Sequence, residues 1–434
     1  MEGLGPDRPF WLEDGLDHLW LPYAQMKTAQ PPLAVARTEG CRIHLADGRV
    51  LIDGIASWWT ACHGYNHPHI RESVQRQLET MPHVMMAGLA HEQAATLAAR
   101  LARLLPGDLD HVFFSDSGSV AVEIALKMAV QFFLNRGQGK RTKFICFRHG
   151  YHGDTLGAMA VSDAETGFQG RLADLPPRQF RFDLPRDVES AAALEQFLNR
   201  NAHEIAGLIV EPLVQGAAGM KFHQPAVLKC LRDLADRHRL LLIFDEIFTG
   251  FGRSGKMFAM EEAGVSPDIV TLSKALTGGV LPLAATIVSR EVYEGFLSDD
   301  PNAALMHGPT FMGNALACAA ANASLDLFER EPCLAQVAAI ERQLARELAP
   351  CRDLPGVKDV RVKGAIGVVD LDHADDIETL RQGFVAAGTW IRPFGRIVYL
   401  TPSFTILPDE LSLLTGAVRR VLASRDQGRM IPRD

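Results

Sequence analysis

The chain has 434 residues, 47% of them hydrophobic and 22% charged, an ordinary globular balance over a length that predicts one large domain plus a smaller one. A formal net charge of -8, with no basic arm or stripe to offset it, argues against nucleic-acid binding. The acidic opening MEGLGPDRPFWLEDGLDHLW lacks the basic start and apolar core of a signal peptide, and no uninterrupted apolar run is long enough to span a bilayer. Seven cysteines (41, 62, 146, 230, 318, 333 and 351) are scattered and never form Cys-x-x-Cys, which fits reduced thiols in a cytoplasmic enzyme better than a disulfide frame or zinc site.

In chain order, the first sixty residues are expected to pack with the tail of the protein. HGYNHPH (63–69) brings His63, His67 and His69 close together, but Pro68 makes facing geometry awkward and no carboxylate joins them, so a structured loop is expected and no metal. Six apolar runs follow: HVFFS (111–115), KFICF (143–147), GLIVEP (207–212), LLLIFDE (240–246), DIVTLS (268–273) and LAATIVS (283–289). Amphipathic stretches such as 120–133 and 225–238 lie between several of them. Strands alternating with helices predict an α/β fold with a mainly parallel central sheet covered by helices, and active residues at the carboxyl ends of the strands. Beyond about residue 325 the texture becomes α+β. A long helical pattern over 314–349 breaks near Glu331-Pro332, followed by a hairpin around Gly364, a helix at 375–387, the strand IVYL (397–400) and a last helix at 408–424. The expected division is an N-terminal segment 1–60 packing with the small domain, a large domain 61–324 and a small domain 325–434.

Gly250, Gly252 and Gly255 in TGFGRSG satisfy G-x-G-x-x-G after a convincing strand. The dinucleotide reading fails on context. It needs an acid at the far end of the next strand, whereas Asp268 opens that strand.

The chemistry points elsewhere. Asp245 closes one apolar strand and Lys274 closes the next, in TLSKALTGG. Taken alone, Lys274 reads as a surface lysine at a strand end. Asp245 changes that reading, because a buried acid demands a partner and a pyridinium nitrogen supplies one. A partly desolvated lysine amine beside it would be held neutral and nucleophilic, as pyridoxal phosphate (PLP) chemistry requires. Ser117-Gly118-Ser119, between a strand and a long helix, offers a phosphate cup, although a simple Ser N-cap gives the same pattern. Tyr151 in HGYHGD follows a strand and could stack on a ring, or be ordinary core.

DEIFTGFGRSG followed by TLSKALTGG resembles the signature of the class III (ornithine/4-aminobutyrate-like) aminotransferases, with Ser254 where threonine is usual. The resemblance spans nearly the whole chain. DHLWLPYAQM, DGIASWWTACHGYNHP, DSGSVAVEIALKMA, FRHGYHGD, MHGPTFMGNALACAAANASL and WIRPFGRIVYL are most similar to the branch of that family serving biotin synthesis. It implies the PLP-dependent transferase fold type I and a homodimer with active sites at the subunit interface. It further implies ping-pong transfer of an amino group from S-adenosyl-L-methionine to 8-amino-7-oxononanoate. Lys274 would carry PLP and move the substrate proton, and Asp245 would pair with the pyridine nitrogen. Gly118 and Ser119 would hold the phosphate, joined by Pro309 and Thr310 from the neighbouring subunit. Tyr151 would cover the ring; Tyr23, Trp58 and Gly308 would touch substrate; Arg392 would bind the acceptor's distal carboxylate. Arg253 and Asp154 lie in matching blocks and would act behind these residues or form a structural salt bridge. Another amino donor, whether ornithine, 4-aminobutyrate, a polyamine or lysine, remains open at this point.

Overall fold

The apolar runs in the middle of the chain become strands enclosed on both faces, which is why they read as continuous hydrophobic stretches rather than alternating ones. The computed structural model describes residues 9–163, 170–374 and 376–425. In chain order the strands are β1 (Val35–Glu39), β2 (Arg42–Leu45), β3 (Val50–Asp53), β4 (Leu109–Ser115), β5 (Lys143–Phe147), β6 (Phe180–Phe182) and β7 (Ile205–Val210). There follow β8 (Val214–Gln215), β9 (Lys221–Phe222), β10 (Leu241–Asp245), β11 (Ile269–Leu272) and β12 (Ala284–Ser289). The last are β13 (Val357–Lys363), β14 (Ile366–Leu371), β15 (Thr389–Trp390) and β16 (Ile397–Leu400).

Seven strands form the central sheet in the order β4-β12-β11-β10-β7-β5-β6. Strands β11, β10, β7, β5 and β6 pair in parallel, and every residue of β7, β10 and β11 is buried. Strand β12 runs antiparallel to both β11 and β4. The stretch joining β11 to β12 is too short for a helical crossover, so the chain must turn straight back. Lys274 sits in that return, opening the 3-10 turn Lys274–Thr277.

The helix Gly118–Asn135 is the one described helix long and apolar enough to cross a bilayer, but half of it is buried inside the protein. Its apolar composition is explained by Ala121, Ile124, Ala125 and Ala129, which pack into the core. Pro225 at the first helical position and Arg239 in a left-handed conformation delimit the helix Pro225–His238. Strand β6 and the short hairpin β8–β9 were not anticipated, since runs of two or three residues carry no readable period.

Towards the C-terminus, the helices Ala315–Arg330 and Cys333–Leu348 meet at Glu331-Pro332, where the helical pattern was expected to break. The first of them runs on through residue 324 without interruption. Strands β13 and β14 form the hairpin that turns at Gly364, whose φ of +53° suits glycine. Strand β15 pairs in parallel with β3, so β1, β2, β3 and β15 make one sheet from both ends of the chain.

Candidate active site

Strands β10 and β11 run side by side with Asp245 level with Thr271, so Asp245 and the residues just past β11 emerge at the same edge of the sheet. Asp245 is 3% exposed. Its Oδ2 accepts from His152 Nδ1 at 2.7 Å, and its Oδ1 accepts from the Ile247 N–H at 3.1 Å and the Thr271 hydroxyl at 3.2 Å. The buried acid therefore finds partners within the chain, while Oδ2 keeps a lone pair for one further donor.

Lys274 has a φ of +47°, and its Nζ lies 4.1 Å from the centroid of the Trp59 ring. The amine makes no hydrogen bond among the described residues. Burial pushes its pKa down to about 8, while the charges of Asp245 and Glu211 pull it back up. An amine near 8 is neutral in an appreciable fraction at physiological pH and can act as nucleophile and base.

Glu211 follows β7 as Asp245 ends β10. Its Oε2 accepts from the Tyr151 N–H and its Oε1 from the Gly216 N–H, both at 2.9 Å. Burial pushes its carboxyl up to about 7, the His152 ring opposing that shift and the Asp245 charge adding to it. His152, Thr271 and Glu211 were not singled out from the sequence. Glu211 carried a usable signal, an acid closing an apolar run as at Asp245; His152 had only its place beside Tyr151.

At the start of the helix Gly118–Asn135, the Ser117 side chain accepts from the Val120 N–H, so Ser117 is the N-cap. The N–H groups of Gly118 and Ser119 meet no acceptor among the described residues. A Cβ on Gly118 would stand 3.0 Å from Ile247 Cδ1, a tight contact to which the Ile247 side chain would have to yield. The Ser119 hydroxyl accepts from the Asp154 N–H at 3.1 Å. Asp154 also accepts from two phenols, Tyr23 on Oδ2 at 2.5 Å and Tyr151 on Oδ1 at 3.1 Å. Asp154 thus organises the two tyrosines.

Tyr23 meets Trp58 edge to face with centroids 6.2 Å apart, and the Arg392 guanidinium lies 4.5 Å from the centroid of the Trp58 ring. Arg392 has no carboxylate partner among the described residues. The two tryptophans sit in an unusual backbone: Ala56, Ser57, Trp58 and Trp59 have φ of +45°, +46°, +55° and +72°. Left-handed conformation costs a residue other than glycine about 1–2 kcal/mol. Four in succession must be held by their surroundings.

Of the two roles expected for Arg253, the salt bridge is not the one it takes. It forms no salt bridge among the described residues; its Nη1 donates to the carbonyls of Ala365 at 3.2 Å and Pro402 at 2.8 Å, and its guanidinium stacks on Phe404. It ties the glycine-rich turn to the C-terminal part of the chain. Gly308 and Thr310 are exposed and Pro309 half-buried, and none is joined to this cluster by a hydrogen bond among the described residues.

The family model of class III aminotransferases matches residues 23–422. The chain belongs to the class III aminotransferases. It is 43% identical over 413 residues to adenosylmethionine-8-amino-7-oxononanoate aminotransferase of Mycobacterium leprae, covering 93% of this chain and 94% of that one. The crystal structure of the enzyme of that name from Methanocaldococcus jannaschii superposes with a TM-score of 0.89 at 32% identity, covering 94% of this chain and 98% of that chain. A PLP-bound amine transaminase from an uncultivated Pseudomonas species gives 0.86 at 32%, covering 93% of this chain and 98% of that chain. This class III aminotransferase is accordingly a PLP-dependent transaminase of fold type I. The residues present fit that cofactor: an amine held near neutrality, a carboxylate with a lone pair to spare, and two helix-start N–H groups lacking an acceptor.

Proposed function

We propose that this enzyme moves the amino group of S-adenosyl-L-methionine to 8-amino-7-oxononanoate, giving 7,8-diaminononanoate for biotin synthesis. The observation that carries the reading is Arg392, a guanidinium stacked on Trp58 with no carboxylate partner among the described residues. That arrangement suits the remote carboxylate of an aliphatic oxo acid, which a planar fork grips through two bonds. The Tyr23–Trp58 wall suits both the chain of the acceptor and the adenosyl group of the donor.

PLP, when bound, supplies the aldehyde that takes the amino group and the ring that draws electrons from the substrate carbon. Each other role falls to the chain's own residues. Lys274 would hold the cofactor covalently and, once displaced by substrate, carry the proton from the substrate carbon. Asp245, fixed by His152 and Thr271, would keep the pyridine nitrogen protonated. The Gly118 and Ser119 N–H groups would take the phosphate, and Tyr151 would cover the ring. Tyr23, Trp58 and Gly308 would touch substrate. The exposure of Gly308 and Thr310, beside Met306 at 80% and Phe311 at 56%, supports a homodimer in which Pro309 and Thr310 complete the phosphate site of the neighbouring subunit. Seven free thiols, six of them buried, support a cytoplasmic setting.

The test is spectroscopic. Adenosylmethionine added to PLP-loaded enzyme is expected to bleach the visible cofactor band, and oxononanoate to restore it. Bleaching by ornithine, 4-aminobutyrate or lysine, with none by adenosylmethionine, would reassign the donor. Arg392→Ala is expected to raise the acceptor KM by about ten- to a hundredfold, the worth of a charged hydrogen bond, with kcat little changed. Equal damage to the donor half-reaction would remove Arg392 from the acceptor role.

A further inference from the structure

The left-handed turn at residues 56–59 faces the site in two directions. Trp58 meets Arg392, and Trp59, the next residue, lies under the Lys274 amine. One side chain gathers the turn from below. Asp53, 1% exposed at the end of β3, accepts from the Ile55 N–H at 2.8 Å through Oδ1 and from the Ser57 N–H at 2.9 Å through Oδ2. Its Oδ2 also accepts from the Tyr65 hydroxyl at 2.5 Å, and that hydroxyl in turn contacts Ser57 Oγ. The far end of the turn is fixed to the lysine's own loop. A Cβ on Gly279 would come within 2.9 Å of Ala61 N and Thr60 Oγ1, so the chain after Lys274 packs directly against the turn.

We propose that Asp53 is a positioning residue for the binding site, holding residues 56–59 left-handed so that one short segment presents Trp58 to Arg392 and Trp59 to Lys274. Among the described residues the Thr60 hydroxyl also meets the segment, donating to the Ala56 carbonyl at 3.4 Å and the Ser57 carbonyl at 3.0 Å from within the same turn, while Thr401 contacts Gly54 and Ile55 and Ser403 contacts Ala61. Asp53 is the carboxylate that takes the Ile55 and Ser57 N–H groups from the strand before it. A right-handed turn would relieve the backbone but re-aim both indoles, because the direction of each Cβ is set by φ and ψ. Asp53 thus acts through the tryptophans and touches neither substrate nor cofactor. The inference rests on the reading that Trp58 and Trp59 line the PLP site.

The experiment uses PLP-loaded Asp53→Ala, the same chain also carrying Ser57→Gly, and wild type. Two quantities are read: the pH midpoint of the bound-cofactor absorption without substrate, and the acceptor KM. In Asp53→Ala, water reaching the Lys274 nitrogen favours its charged form, so the midpoint is expected to rise by about half a unit or more. The acceptor KM is expected to rise by about tenfold with kcat changing less. Ser57→Gly, which makes the left-handed conformation free of steric cost at that position, is expected to recover most of both. Should Asp53→Ala fail to fold, Asp53→Asn carries the same readouts, since one amide oxygen still accepts while the other position cannot. An unmoved midpoint and KM in a folded Asp53 variant overturn the proposal, and so does a shifted midpoint that the glycine leaves untouched. The midpoint involves no substrate, so it is decided separately from the choice of donor and acceptor.

Discussion

Lys274→Ala is expected to lower turnover by at least about four orders of magnitude, the upper range for a single positioned proton-transfer group, with its covalent role lost as well. Alanine keeps the backbone of the return between β11 and β12, since a φ of +47° burdens it no more than it burdens lysine. The fold should therefore persist. Gly118, Ser119 and Asp245 would still retain PLP without a bond, so equilibrium dialysis should detect cofactor. Borohydride reduction followed by intact-mass measurement should find the adduct in wild type and none in the variant. An adduct of equal yield in Lys274→Ala would move the attachment to another lysine and refute the assignment. The environment of the amine adds a pH signature. With its pKa near 8 rather than the 10.5 of a free lysine, loading of cofactor-free wild type should quicken with rising pH up to about 8 and then level off. A rise continuing to about pH 10 would mean that the amine is not desolvated.

Asp245→Asn should reduce kcat by about a hundred- to a thousandfold, the scale reported by loss of one preorganised electrostatic group. The amide can keep a carbonyl oxygen towards Ile247 N–H and Thr271, and turn its NH2 to His152 Nδ1 once that ring adopts its other tautomer. The buried network then remains satisfied, which is why stability should change little. What changes is the group offered to the pyridine nitrogen: an N–H donor where a charged acceptor stood. The absorption of the bound cofactor should shift while PLP content stays near wild type. Unchanged kcat in a variant with full PLP occupancy would exclude the carboxylate from the reaction.

Much of this site was legible because its parts obey local rules. An apolar run ending in acid announced Asp245, and small residues around Lys274 announced desolvation. The fold was legible for similar reasons: β5, β16 and the helices Pro225–His238 and Pro408–Ser424 coincide with their predicted spans. The residues that escaped notice act across the sheet. His152 and Asp245 are 93 positions apart, and no spacing rule connects the end of β5 to the end of β10. Arg253 was noticed only as part of a matching block, and nothing local foretold that backbone carbonyls rather than an acid would meet its guanidinium. The turn at 56–59 was invisible because alanine, serine and tryptophan give no sign of positive φ.

The sheet shared by β3 and β15 has a consequence for biogenesis. Tyr23 and Trp58 come from the opening of the chain, and Arg392 lies just past β15, the strand that closes that sheet. On a translating ribosome, Lys274 and Asp245 emerge well before Arg392, so the part of the site around them can form while Arg392 is still being made. With Arg392 in its proposed role, substrate selectivity is then the last property the nascent enzyme acquires, gained when the final quarter of the polypeptide folds back onto the first.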